Sequence, residues 1–133
     1  LPETDPRVCR AAWYAAARAA GGQVGRFLKR EYPRNFHTAT ISGRDGEHVA
    51  LFHSGLPLVA FVDEERYRYD KEFLDPPAWA ESIGDFGFAV LDRSLLLAPL
   101  TEAHTAELSG AEPREIRYWR AETVGATLFN SWD

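Results

Sequence analysis

The chain carries its densest chemistry in one short stretch, residues 63–75. Asp63, Glu64, Glu65, Asp70, Glu72 and Asp75 supply six carboxylates, interleaved with Tyr67, Tyr69 and Phe73 and with three cations, Arg66, Arg68 and Lys71. Paired carboxylates run glycoside hydrolysis or hold Mg²⁺ when an enclosed cleft separates their pKa values. In open solvent the same residues make a locally salt-bridged, hydrated face. A third use is docking, because aromatic anchors carry much of the energy at interfaces and complementary charge speeds encounter. On that reading the candidate binding residues are Asp63, Glu64, Glu65, Tyr67, Tyr69, Asp70, Glu72 and Asp75, and the partner is a basic protein; Trp79 is assigned to the core.

The remaining reactive side chains are sparse. His37, His48, His53 and His104 have no zinc-type spacing, and with Cys9 as the one cysteine no Cys/His metal site is predicted. His48 and His53 lie an odd number of residues apart, so a regular strand points them to opposite faces. Cys9 falls in the first turn of a predicted helix beside Arg7 and Arg10, a setting that lowers a thiol pKa; the alternative is a small core residue. No P-loop, G-x-G-x-x-G, G-x-S-x-G or H-E-x-x-H occurs, and no cofactor is implied. Gly21-Gly22-Gln23-Val24-Gly25 is glycine-rich but follows no strand, which argues against a nucleotide site.

These groups must be held by recognisable elements. The acidic stretch follows directly on two apolar runs, 49–52 and 58–62, separated by Ser54-Gly55-Leu56-Pro57. Both read as buried strands. Upstream, residues 36–42 alternate, and Gly43-Arg44-Asp45-Gly46 turns the chain, predicting a three-strand antiparallel meander. Asp5 or Thr4 with Pro6 opens an N-terminal helix with Val8, Ala12, Ala15 and Ala19 as its stripe. After Gly21-Gly22, the spacing of Val24, Phe27 and Leu28 predicts a second helix ending before Pro33.

Further on, Arg66-Tyr67-Arg68-Tyr69 reads as a short strand and residues 76–84 as a helical turn. Residues 86–91 and 116–119 read as strands, Thr101–Leu108 as a helix, and Thr123 as the cap of a C-terminal helix weakened by Gly125. Together these predict one α+β domain over residues 1–133, with an antiparallel sheet of about five to six strands packed on one side by N-terminal helices.

Charge is unevenly distributed. Eight Lys/Arg face three Asp/Glu up to Arg44, whereas seven face seventeen beyond it, within a net charge of −5. The acidic remainder repels nucleic acid and favours a basic partner. No apolar run approaches the length of a membrane span, so no membrane insertion is predicted. The lone cysteine suits a reducing compartment, so a cytoplasmic location is expected. Leu1-Pro2-Glu3-Thr4 resembles part of a sortase signal, but Asp5 replaces the required Gly and the position is N-terminal. The chain does not begin with Met, which suggests trimming at that end.

The C-terminal stretch Arg117-Tyr118-Trp119-Arg120, then Val124-Gly125 and Phe129-Asn130-Ser131-Trp132-Asp133, resembles the ends of small bacterial proteins similar to immunity proteins of polymorphic toxin systems. The resemblance covers about eighteen residues and transfers no inhibitory residue. It implies a small, acidic, cytosolic α+β domain that occludes a cognate toxin. The leading expectation is a non-enzymatic binding module of this kind. The alternative is a small hydrolase or transferase using His48, His53 and Asp63 as an acid/base set, which requires them to converge in a pocket. A homo-oligomer joined through an exposed strand edge is a third possibility.

Overall fold

The computed structural model describes residues 5–31, 34–43, 46–66, 69, 71–99 and 123–129. Helix α1 (Pro6–Ala20) is followed by β1 (Gln23–Leu28), β2 (Phe36–Gly43), β3 (Gly46–His53), β4 (Leu58–Val62) and β5 (Phe73–Leu74). A 3₁₀ turn (Ala78–Ala80), α2 (Glu81–Gly84), β6 (Ala89–Val90), α3 (Arg93–Leu96) and α4 (Val124–Leu128) complete the described elements. The expected helix at 101–108, strand at 116–119 and tail beyond Phe129 lie outside the described residues.

The strands form one sheet in the order β1-β2-β3-β4-β5, all neighbours antiparallel. β6 pairs in parallel with the first residues of β4, on the same edge that takes β5 at its other end. The fold is therefore α+β with a six-stranded, mostly antiparallel sheet, and the predicted meander is its centre.

α1 starts where its sequence dictates. The Asp5 carboxylate accepts the Arg7 N–H at 2.9 Å, and Pro6 occupies the first turn, where a missing N–H costs nothing. Gly21 ends it in the left-handed region at φ 69°, and the Gly22 N–H reaches the Ala17 carbonyl at 2.9 Å. The buried stripe is Cys9, Ala12, Trp13, Ala16 and Ala17, rotated from the predicted one. Trp13 decides the rotation. Its ring is fully buried against Phe52, Phe61 and Trp79, and its indole N–H donates to the Thr40 carbonyl at 2.9 Å. Burying so large a ring outweighs burying Val8, which is left exposed.

The predicted second helix is corrected to strand β1. Its pairing slips between Val24 and Phe27, so a bulge sets both side chains toward α1. That produces the three-residue spacing that imitates a helix. The extra Arg26 N–H is satisfied by Thr40 Oγ1 at 2.8 Å. Gly22 admits the close approach of β2, since a Cβ there would lie 2.2 Å from the Ser42 carbonyl oxygen. Only one N-terminal helix therefore packs on the sheet.

Both sheet faces are covered. Ala39, Ile41, Ala50, Phe52, Val59 and Phe61 meet α1, α2 and Phe88. Phe36, Val49, Leu51, Ala60 and Val62 meet Tyr69, Phe73, Leu96, α4 and Phe129. This explains why β2 is buried at six consecutive positions despite its clean alternation. Thr123 caps α4 through the Ala126 N–H at 3.1 Å, as expected. Gly125 is the contact point rather than a weakness, because a Cβ there would come within 2.5 Å of the Phe73 ring.

Candidate protein-docking surface

The acidic stretch begins at the end of β4 and returns as β5. Its first turn is tied down by its own side chains. The Asp63 N–H donates to the Glu72 carbonyl at 3.1 Å, closing the neck. Arg66 grips Asp63 through both ends of its guanidinium, at 3.2 and 2.9 Å, and reaches Glu64 at 3.1 Å. The fork geometry suits a bidentate carboxylate contact and holds the Asp63 carboxyl below the usual range. The same hydrogen bond to Asp63 raises Arg66. Two carboxylates thus share one guanidinium, and both remain exposed on the surface.

Glu65 points elsewhere. It pairs with Arg26 on β1, three strands away from β4. At about 4.8 Å per strand the loop and the two side chains span roughly 14 Å, which three extended residues and two long side chains can cover. Glu65 therefore reaches across the sheet toward β1. This contact joins the basic N-terminal third to the acidic remainder, matching part of the charge asymmetry internally.

Tyr69 is placed differently from the expectation. Its ring is only 4% exposed, packed on Phe36 and Phe73, so it does not project as a surface anchor. Burial pushes its hydroxyl up to about 12. The neutral hydroxyl accepts the Arg66 N–H at 2.8 Å and donates to the Glu64 carbonyl at 3.0 Å, fixing the acidic turn from beneath. Asp75 also has structural work, accepting the N–H of Arg93 at 3.0 Å where α3 begins. Glu72 is half-buried. Tyr67 and Asp70 lie outside the described residues.

The acidic character extends past the predicted stretch. Glu81, Asp85 and Asp92 are exposed on the segment that carries α2 and leads into α3. Over residues 46–99 ten Asp/Glu face four Lys/Arg, whereas over residues 5–31 six Lys/Arg face two Asp/Glu. β1 forms one border of the sheet and β5 with β6 the other. Charge is therefore segregated across the sheet. Trp79 is half-buried and packs against the core, set edge-on to Trp13, His48 and Phe61.

The acid/base set of the enzymatic alternative is not brought together. His48 lies with Trp79 on the α1 side of the sheet, and His53 lies against Phe129 on the other. Five residues of strand separate them by about 17 Å. His53 is occupied as a turn cap, its Nδ1 accepting the Gly55 and Leu56 N–H groups, each at 2.9 Å. Burial pulls its pKa down to about 4. Among the described residues, an open cleft of about 360 Å³ is lined by Pro76, Pro77, Ala78, Ala80, Glu81 and Val90, none of them a member of that set.

Cys9 is fully buried in the α1 layer, and burial pushes its thiol up to about 12. The core reading of this residue holds and the activated one does not. Among the described residues no group of three or more His, Cys, Asp or Glu is arranged to hold a metal ion. No described helix is long and apolar enough to cross a membrane.

Sequence reasoning missed the Arg26–Glu65 pair, since no local signal links residues 39 apart. It also missed the supporting role of Tyr69, although a tyrosine three residues beyond Arg66 at the end of an acidic run was visible. In comparisons with protein-family models, curated proteins and solved structures, nothing matches this chain.

Proposed function

We propose that the chain is a non-enzymatic protein-binding module whose acidic border docks a basic protein, acting in the cytoplasm as an immunity-type inhibitor of a basic toxin. The observation that carries this reading is the braced acidic turn. Asp63 and Glu64 stand exposed on a loop fixed by Arg66 and the buried Tyr69 hydroxyl. A fixed carboxylate pair loses little conformational freedom on binding, so more of its interaction appears as affinity. Glu81, Asp85 and Asp92 extend the same sign of charge and supply long-range steering. The scattered histidines favour binding over catalysis.

The test is capture from lysate of the source organism on tagged protein, in parallel with the double variant Asp63→Lys, Glu64→Lys. The expected result is one basic protein held by the wild type at low salt, released at high salt and lost by the variant. Adding the purified domain should abolish that protein's toxicity at a one-to-one ratio. Equal capture by a folded variant, or enrichment of no basic protein, overturns the reading.

A further inference from the structure

The border of the sheet opposite the acidic one carries its own recognition chemistry. β1 is the terminal strand, and among the described residues no strand lies beyond it. Its outward side is open: Gln23, Gly25, Arg26 and Leu28 are all exposed, Leu28 to 41%. An open border strand offers a row of unpaired N–H and C=O groups to any extended chain. Three cations flank that row. The Arg10 guanidinium sits over the Phe27 ring at 5.3 Å, at the border on the α1 side. Lys29, two residues beyond Phe27, follows at the end of β1. Arg26 extends from the bulge and meets Glu65 on the far side. Among the described residues no carboxylate forms a salt bridge with Arg10 or Lys29.

We propose that the β1 border is a second docking site, which takes an acidic extended segment of another protein as an added strand. The occupant follows from charge and period. Alternate side chains of an added strand face alternate sides of the sheet. On the α1 side they meet Arg10, with Lys29 just past the end of β1, so carboxylates belong there. On the other side they meet Gly25 and the exposed Leu28, so apolar side chains belong there. Six residues of β1 set the length of the segment at about 20 Å.

The cations work against the competing occupants. Positive charge is a common guard against edge-to-edge aggregation, and two β1 strands side by side would oppose like charges. A second copy of this chain is therefore disfavoured. A nucleic-acid strand has no amide ladder to pair with β1 and is repelled by the net charge of −5. This site is distinct from the exposed Asp63–Glu64 turn, and the Arg26–Glu65 pair links the two.

The experiment uses the full chain and a capped, fluorescein-labelled eight-residue peptide alternating Glu with Val or Thr. Its controls are the same peptide with Lys for Glu and an eight-nucleotide single-stranded DNA. Anisotropy gives affinity at low salt, and amide hydrogen exchange gives location. The acidic peptide is expected to bind and to slow exchange at β1 amides. The double variant Arg10→Glu, Lys29→Glu should weaken it at least about fivefold, since two exposed charge pairs are lost and reversed. A thermal melt confirms that the variant is folded, and slowed exchange at wild-type β1 reads the site without any substitution. Equal binding of the Lys peptide, binding of DNA alone, protection confined to other strands, or no binding at millimolar peptide overturns the proposal.

Discussion

The turn cap at His53 makes a quantitative prediction about acid. A neutral imidazole whose Nδ1 accepts two backbone N–H groups carries its proton on Nε2. A second proton must enter at Nδ1, against two donors and inside a ring contact with Phe129. The pKa in the folded protein is about 4, against an ordinary value of 6.5 in the unfolded chain. The unfolded chain therefore binds more protons between these values. The neutral ring contributes stability in full above pH 6.5, and that contribution is lost as pH falls toward 4. At about 1.4 kcal/mol per pH unit the full contribution is roughly 3 kcal/mol, of which about 2 kcal/mol is gone at pH 5.

The assay is urea unfolding at pH 8 and pH 5, on the wild type and on His53→Asn. An asparagine oxygen keeps an acceptor for the turn N–H groups but does not titrate. The wild type should lose about 2 kcal/mol more than the variant between the two pH values. Groups whose titration does not depend on His53 drop out of the difference. Equal losses in the two proteins refute the argument that burial holds His53 neutral.

Gly125→Ala should destabilise the fold by about 1–3 kcal/mol in thermal or urea unfolding, because the new methyl meets the Phe73 ring in a covered core; an unchanged midpoint removes the close α4 contact. Tyr69→Phe should cost about 1–2 kcal/mol, because the Arg66 N–H and the Glu64 carbonyl lose their common partner. Amide exchange in the acidic turn should rise with it, and an unchanged turn would show that the hydroxyl does not brace it. The Cys9 thiol, buried with a pKa pushed up to about 12, should resist a thiol reagent at pH 8 until the protein is unfolded. Modification of the native protein at the rate of a free thiol contradicts the core assignment.

The local chemistry of the chain was legible without its structure. Asp5 and Thr123 announce helix caps because a short polar side chain before a helical run has one strong use there. The alternation of residues 36–42 and the break at residues 43–46 specify a hairpin, because strand period and turn geometry are properties of adjacent residues. The acidic concentration at residues 63–75 and the basic N-terminal third were likewise plain from composition.

What tertiary structure alone decided is how those local pieces face one another. Val24 and Phe27 carry helical spacing, and only pairing with β2 turns that spacing into a bulged strand. Val8 and Trp13 compete for one buried stripe of α1, and the waiting Phe52, Phe61 and Trp79 settle it for Trp13. Tyr69 has the composition of an interface anchor, yet the covered sheet face draws it inward and leaves its hydroxyl to brace Asp63 and Glu64. Arg26 and Glu65 meet only because β4 lies three strands from β1. Burial and charge pairing are sums over neighbours distant in the chain, so residue type and spacing set which groups are available, and packing sets which of them reach the surface.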